Sequence, residues 1–143
     1  MGIRKIPEEK QWFHFHNANP KNARTDDCVF RAISTVTGIS WDDVVMGLAK
    51  TAVKLKRSLD DTKVIDSYLG ELGYVRRMQP YRIELYTEKK EKYTGQDFCQ
   101  TFRSKTCIAN IGGHHMTAIV NGKIYDTWDC SEGCIGNYWE KVR

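Results

Sequence analysis

Apolar residues recur at helical spacing through the first half of the chain and at alternating spacing through much of the second. Val29, Ala32, Ile33 and Val36 fall at i, i+3, i+4 and i+7, one face of a helix. Thr25-Asp26-Asp27 offers N-cap side chains just before that segment, and Gly38 is placed to end it. A second helix follows at once: Ser40 and Asp43 have capping-box spacing, with Asp in place of the usual Glu, and Trp41, Val44, Val45, Leu48 and Ala49 form its buried stripe. A third begins near Asp60-Asp61 and carries Val64, Ile65, Tyr68, Leu69 and Leu72, with Gly73 as its stop.

The period then changes. Tyr74–Met78 reads as a short strand cut by Pro80, and Thr94 is placed to cap a short helix running through Phe102. Thr106–Ile111 is strand-like and ends at Gly112-Gly113. His114–Val120 and Lys123–Trp128 flank Asn121-Gly122, the strongest short-range hairpin signal, with a type I′ turn that matches strand twist. A last strand covers Ile135–Val142, while Trp12–His16 reads as a short strand or extended arm. Helices first and antiparallel strands later make an α+β fold. No repeat or linker divides residues 1–143, so one domain is expected.

Composition adds few constraints. Of 143 residues, 41% are hydrophobic and 28% charged, a globular balance. No apolar run approaches the roughly 18 residues of a membrane span. The first ten residues lack a signal-peptide core, which leads to an expectation of a cytoplasmic protein with no membrane partner. The net charge of +4 is spread out. Lys54-Leu55-Lys56-Arg57 and Arg76-Arg77 are too sparse for a nucleic-acid footprint, so no nucleic-acid partner is expected. Five cysteines, at 28, 99, 107, 130 and 134, are an odd count that argues against a disulfide framework and leaves a free thiol in a monomer.

Cys28 falls at the first turn of the first helix, where unpaired N–H groups and the helix dipole favour a thiolate and could donate to an oxyanion. Asp26 and Asp27 oppose this by raising a nearby thiol's pKa, so a histidine partner is needed. The hairpin supplies one. With a two-residue turn, cross-strand partners have numbers summing to 243, so Thr117 faces Asp126 and His115 faces Trp128. These four share one face, with His115 and Asp126 as diagonal neighbours. The other face carries His114 and Asp129. Two pairs are therefore open, His115–Asp126 and His114–Asp129.

A Cys at the start of the first long helix, a His on a central strand and an acid on the next strand follow the order of papain-like cysteine peptidases. Asp126-Thr127-Trp128 resembles the Asn-Ser-Trp of papain. Asp27-Cys28-Val29-Phe30-Arg31-Ala32-Ile33 and the run from Gly113 to Asp129 resemble small papain-like proteins of bacteriophages and bacteria. The resemblance covers most of the chain from Asn19 to Asp129. It implies a papain-like fold, with N-terminal helices packed on a C-terminal antiparallel sheet, and selects His115–Asp126 as the pair. It further implies a catalytic triad of Cys28, His115 and Asp126, with Trp128 shielding the His–Asp hydrogen bond. The papain and cathepsin signature Cys-Gly-Ser/Ala-Cys-Trp is absent. Asn22, six residues before Cys28, has the spacing of papain's oxyanion Gln, and Asn19 is the other candidate for that role. The expected activity is that of a thiol protease or related amide hydrolase needing no cofactor. Its expected substrate is a protein or peptide, a host or phage protein if the chain is phage-encoded, which would place it in the host cytoplasm.

Other roles remain for the same residues. Cys99, Cys107 and one or both of Cys130 and Cys134 read as small buried hydrophobes. Trp128 is expected to be buried whether it shields the site or belongs to the core. Arg31 reads as a surface or salt-bridging residue close to Cys28. Cys130 and Cys134, with His114 upstream, have a spacing that zinc tolerates, which would make a metal-stabilised phage accessory protein. A third reading keeps the papain-like scaffold as a non-catalytic binding module, with Cys28 inert to electrophiles.

Overall fold

The computed structural model describes residues 5–142. Four helices and eight strands follow in the order β1 (Phe13–Phe15), α1 (Cys28–Thr37), α2 (Trp41–Leu55), α3 (Thr62–Glu71), β2 (Tyr74–Arg77), β3 (Tyr81–Ile83), β4 (Lys90–Lys92), α4 (Gly95–Thr101), β5 (Cys107–Ile111), β6 (His115–Ile119), β7 (Ile124–Asp126) and β8 (Ile135–Lys141). The fold is α+β, and six strands form one mostly antiparallel sheet in the order β1-β7-β6-β5-β8-β2.

Local chemistry sets most boundaries. Ser40 Oγ accepts from the Asp43 N–H at 3.1 Å, Asp61 from Lys63 and Thr94 from Asp97, capping α2, α3 and α4 respectively. Gly38, at φ 77°, closes α1 with its N–H on the Ser34 carbonyl. The cap of α1 differs from expectation: Asp27 occupies the position, but its carboxylate makes no cap hydrogen bond, because three other donors engage it.

Alternation along the strands builds two cores. Ile108, Met116, Ala118 and Trp139 join the apolar faces of α1, α2 and α3. Cys107, Ala109, Ile119 and Ile124 pack instead with Phe13 and with Phe98 and Cys99 of α4. Helices thus cover both sheet faces. Ile135 and Trp139 have the same parity in β8 yet enter different cores. A register shift against β5 between Ala109 and Ile111 accounts for this, since one extra residue exchanges the faces.

The β6–β7 hairpin has the register expected from a two-residue turn. Ala118 pairs with Tyr125 and Ile119 with Ile124, while Val120 and Lys123 exchange both backbone hydrogen bonds. Asn121 and Gly122 lie at φ 49° and 70°, as a type I′ turn requires. A Cβ on Gly122 would sit 2.6 Å from the Arg103 carbonyl oxygen, so close backbone approach as well as the turn demands glycine. At the far edge of this hairpin the N-terminal arm joins the sheet as β1, parallel to β7, with Phe13 opposite Ile124 and Phe15 opposite Asp126.

Candidate active site

Cys28 is the first residue of α1, and His115 is the first of β6. Together with Asp26, Leu59, Asp60, Asn110 and His114 they line a cleft of about 540 Å³. The cleft lies between the starts of α1 and α3 and the β5–β6 turn.

His115 Nε2 lies 2.7 Å from Asp126 Oδ2, and Thr117 Oγ1 donates to the same oxygen at 2.6 Å. The paired backbone ladder of β6 and β7 covers only two residue pairs, so beyond it Thr117 and Asp126 meet through their side chains. Trp128 packs on the His115 ring, with centroids 4.9 Å apart and planes at 52°. Thus His115, Thr117, Asp126 and Trp128 do share a face. Trp128 is not buried, however: it is 49% exposed, because β7 ends at Asp126 and the indole covers only one side of the imidazole. Asp129 lies away from His115. It accepts from Lys10 Nζ at 2.8 Å and from the Ser131 N–H, and His114 is exposed.

The protonation chemistry follows from these contacts. Burial pushes the Cys28 thiol up. The hydrogen bond with His115, the Met116 backbone N–H and the charges of His115 and Arg31 outweigh it, leaving the pKa below the ordinary 9.0. Burial also opposes an imidazolium at His115, but hydrogen bonds with Asp126, Cys130 and Cys28 prevail and push its pKa up to about 11. Asp126 is held below its ordinary 3.8, as His115, Thr117 and the Thr127 N–H overcome its burial. All three shifts act toward a thiolate beside an imidazolium beside a carboxylate.

Arg31 has a larger part than a surface position would give it. Its Nε donates to Asp27 Oδ1 at 2.7 Å, and its Nη1 donates to Asp126 Oδ1 and to Thr127 Oγ1, each at 3.1 Å. Asp27 Oδ2 also receives Asn19 Nδ2 and Trp41 Nε1, both at 3.0 Å. The carboxylate next to Cys28 is therefore neutralised by Arg31 and tied to α2. This removes the opposition to the thiolate that its sequence position implies.

The two asparagines stand elsewhere. The Asn19 side chain is buried and fully engaged: its amide nitrogen is on Asp27, and its oxygen accepts from the Lys21 and Ala23 N–H groups. Asn22 is exposed, at φ 53°. Neither lines the cleft. The backbone donor at the thiol is the Met116 N–H, and the unpaired N–H groups that open α1 adjoin Cys28.

Among the described residues, the group able to offer converging metal ligands is His115, Asp126 and Cys130, not Cys130, Cys134 and His114. Cys134 is exposed, whereas Cys99, Cys107 and Cys130 are buried. The 2.7 Å between Nε2 and Oδ2 suits one shared proton. Two ligands of a tetrahedral zinc, at bonds of about 2.0–2.1 Å, sit roughly 3.3 Å apart. Cys130, with its Sγ 3.8 Å from Asp126 Oδ2, is the neighbour that the sequence pattern does not point to. It follows the hairpin by a loop whose path no periodicity encodes.

No protein-family model, curated protein or solved structure matches this chain.

Proposed function

We propose that this chain is a papain-like cysteine hydrolase acting on an amide or related acyl carbonyl of a protein or peptide. Cys28 is the nucleophile, His115 the acid–base group and Asp126 the group that orients His115. The observation that carries this reading is that Cys28 and His115 line one cleft while Asp126 holds the imidazole at 2.7 Å, with Cys28 shifted toward thiolate and His115 toward imidazolium.

The Cys28 thiolate attacks the carbonyl carbon, forming a C–S bond while an electron pair moves onto oxygen. The N–H groups opening α1 donate to that oxyanion. His115 then gives its proton to the departing nitrogen as the C–N bond breaks, leaving a thioester on Cys28. Neutral His115 next takes a proton from water, whose oxygen attacks the thioester, and the thiolate leaves. With Nε2 engaged by Asp126, Nδ1 is the nitrogen that handles these protons. Asp126 stays ionised and fixes ring and tautomer.

The test is intact-mass trapping of an acyl-enzyme across a panel of amide and ester substrates, with peptide mapping of the adduct. An adduct on Cys28 that disappears in Cys28→Ala is expected. Cys28 no more reactive toward electrophiles than exposed Cys134, with no acyl adduct, would instead leave a papain-like binding module without catalysis.

A further inference from the structure

We infer that the cleft beside Cys28 selects a substrate segment carrying a cationic side chain next to an apolar one, such as a leucyl-lysine or leucyl-arginine pair. The inference rests on the reading of Cys28 as the nucleophile and adds what that nucleophile is offered. Two features of the cleft support it.

The first is charge. Asp26 and Asp60 both line the cleft and are exposed, and neither has a salt-bridge partner among the described residues. The third carboxylate there, Asp27, is neutralised by Arg31. No lysine or arginine lines the cleft, and the His115 imidazolium in it is paired with Asp126, although the chain as a whole carries a net charge of +4. Unpaired carboxylates on the wall of a concave site attract a cation more strongly than scattered surface charges do, since a low-dielectric wall focuses the field. One comes from the residue two before the nucleophile. The other comes from the turn leading into α3.

The second is the apolar lining. Phe30, Leu59, Ile65 and Met116 contribute to the same cleft, and Phe30 and Leu59 are only partly buried. An aliphatic side chain could cover them while its cationic neighbour faces the carboxylates. A purely cationic ligand would leave this surface wet, and a purely apolar one would desolvate the carboxylates without pairing them.

Three methanethiosulfonates of similar size, cationic, neutral and anionic, test the charge on the full chain without knowledge of the natural substrate. Each forms a mixed disulfide with the attacking thiolate and expels a sulfinate. Rates at Cys28 and at exposed Cys134 are read by peptide mass spectrometry. The expected cationic-to-anionic rate ratio is higher at Cys28 than at Cys134. It should fall about three- to tenfold in the Asp26→Asn/Asp60→Asn double variant, and fall likewise as salt is raised. An unchanged ratio in the double variant overturns the proposal.

The apolar half is tested by protection of Cys28 with acetyl-leucyl-lysine amide. This should outperform both acetyl-leucyl-glutamate amide and acetyl-glycyl-lysine amide, and equal protection by all three overturns the pairing. A Cys28 that reacts no faster than Cys134 with the neutral reagent defeats the nucleophile instead, while the charge ratio still decides this inference by itself.

Discussion

Arg31 Nη1 donates to Asp126 Oδ1 at 3.1 Å while its Nε holds Asp27 at 2.7 Å, so one guanidinium on α1 joins the carboxylate beside the thiol to the carboxylate behind the imidazole. Both carboxylates are buried, and Arg31 is 9% exposed. The guanidinium sets the spacing between α1 and β7, hence between Cys28 and His115.

Arg31→Met should therefore destabilise the fold by about 3–5 kcal/mol, because it leaves two buried carboxylates short of their cation. Chemical denaturation measures it. A double-mutant cycle with Asp126→Ala should give clear coupling between the two positions, and additive losses would mean that the bridge carries nothing.

Asp126 serves several donors at once, so its variants should report on stability as well as on rate. Oδ1 accepts from Arg31 and the Thr127 N–H, and Oδ2 from His115 and Thr117. Asp126→Asn turns one acceptor into a donor facing donors on either side, at a cost of about 1–3 kcal/mol. Asp126→Ala removes both acceptors and should lose more stability, with acyl transfer falling by orders of magnitude. Thermal melts beside single-turnover rates separate the two effects. An Asn variant with unchanged melting temperature would show that the donors rearrange freely.

Cys28 should alkylate with iodoacetamide at pH values below its ordinary 9.0, since its pKa is lowered. Cys99, raised to about 12 by burial, and Cys107, raised further, should stay unmodified until the chain unfolds. Hydrolysis should lose its acid limb as Cys28 protonates and its alkaline limb as His115 deprotonates, the two limbs belonging to the coupled pair. Stability follows the same shifts. The His115 contribution is complete below its ordinary 6.5 and lost as pH rises through about 11. The Asp126 contribution is present above 3.8 and lost as pH falls through its depressed value. Mapping of alkylated peptides against pH checks the order, which fails if Cys134 leads.

Gly122→Ala should destabilise by about 1–3 kcal/mol through its left-handed backbone and the encroachment on Arg103. Because the turn sets the hairpin register, the variant should also reduce Cys28 reactivity by loosening His115. An unchanged melting temperature would mean that the Arg103 loop yields without cost.

What the sequence makes legible is what short-range chemistry encodes. Ser40, Asp61, Thr94 and Gly38 mark helix ends, and Asn121-Gly122 sets a register that brings His115, Thr117 and Asp126 onto one face. Contacts between distant segments are not encoded in that way. Nothing near Phe13 indicates a parallel partner at Ile124. The β3–β4 hairpin escapes notice because Tyr81–Ile83 and Lys90–Lys92 are exposed on both faces, so no alternation marks them. Arg31 reads as a surface or salt-bridging residue, and it is the second; its partners stay unnamed in the sequence because Asp126 lies 95 residues away. Trp128 is exposed where an apolar reading buries it, since β7 ends two residues before it.

The parallel edge formed by β1 and β7 bears on the order in which the molecule comes into being. Phe13 is fully buried against a strand more than a hundred residues later in the sequence, and the His16 N–H donates to the Asp126 carbonyl at 2.9 Å. Closing so long a loop is entropically costly and slow. Strand β1 must wait, unpaired, until β7 has been made. A nascent polypeptide leaving the ribosome would already hold its thiol at a helix start but would have neither base nor acid beside it. Cys28, His115 and Asp126 would come together in one event, when β6 and β7 close on α1 and β1.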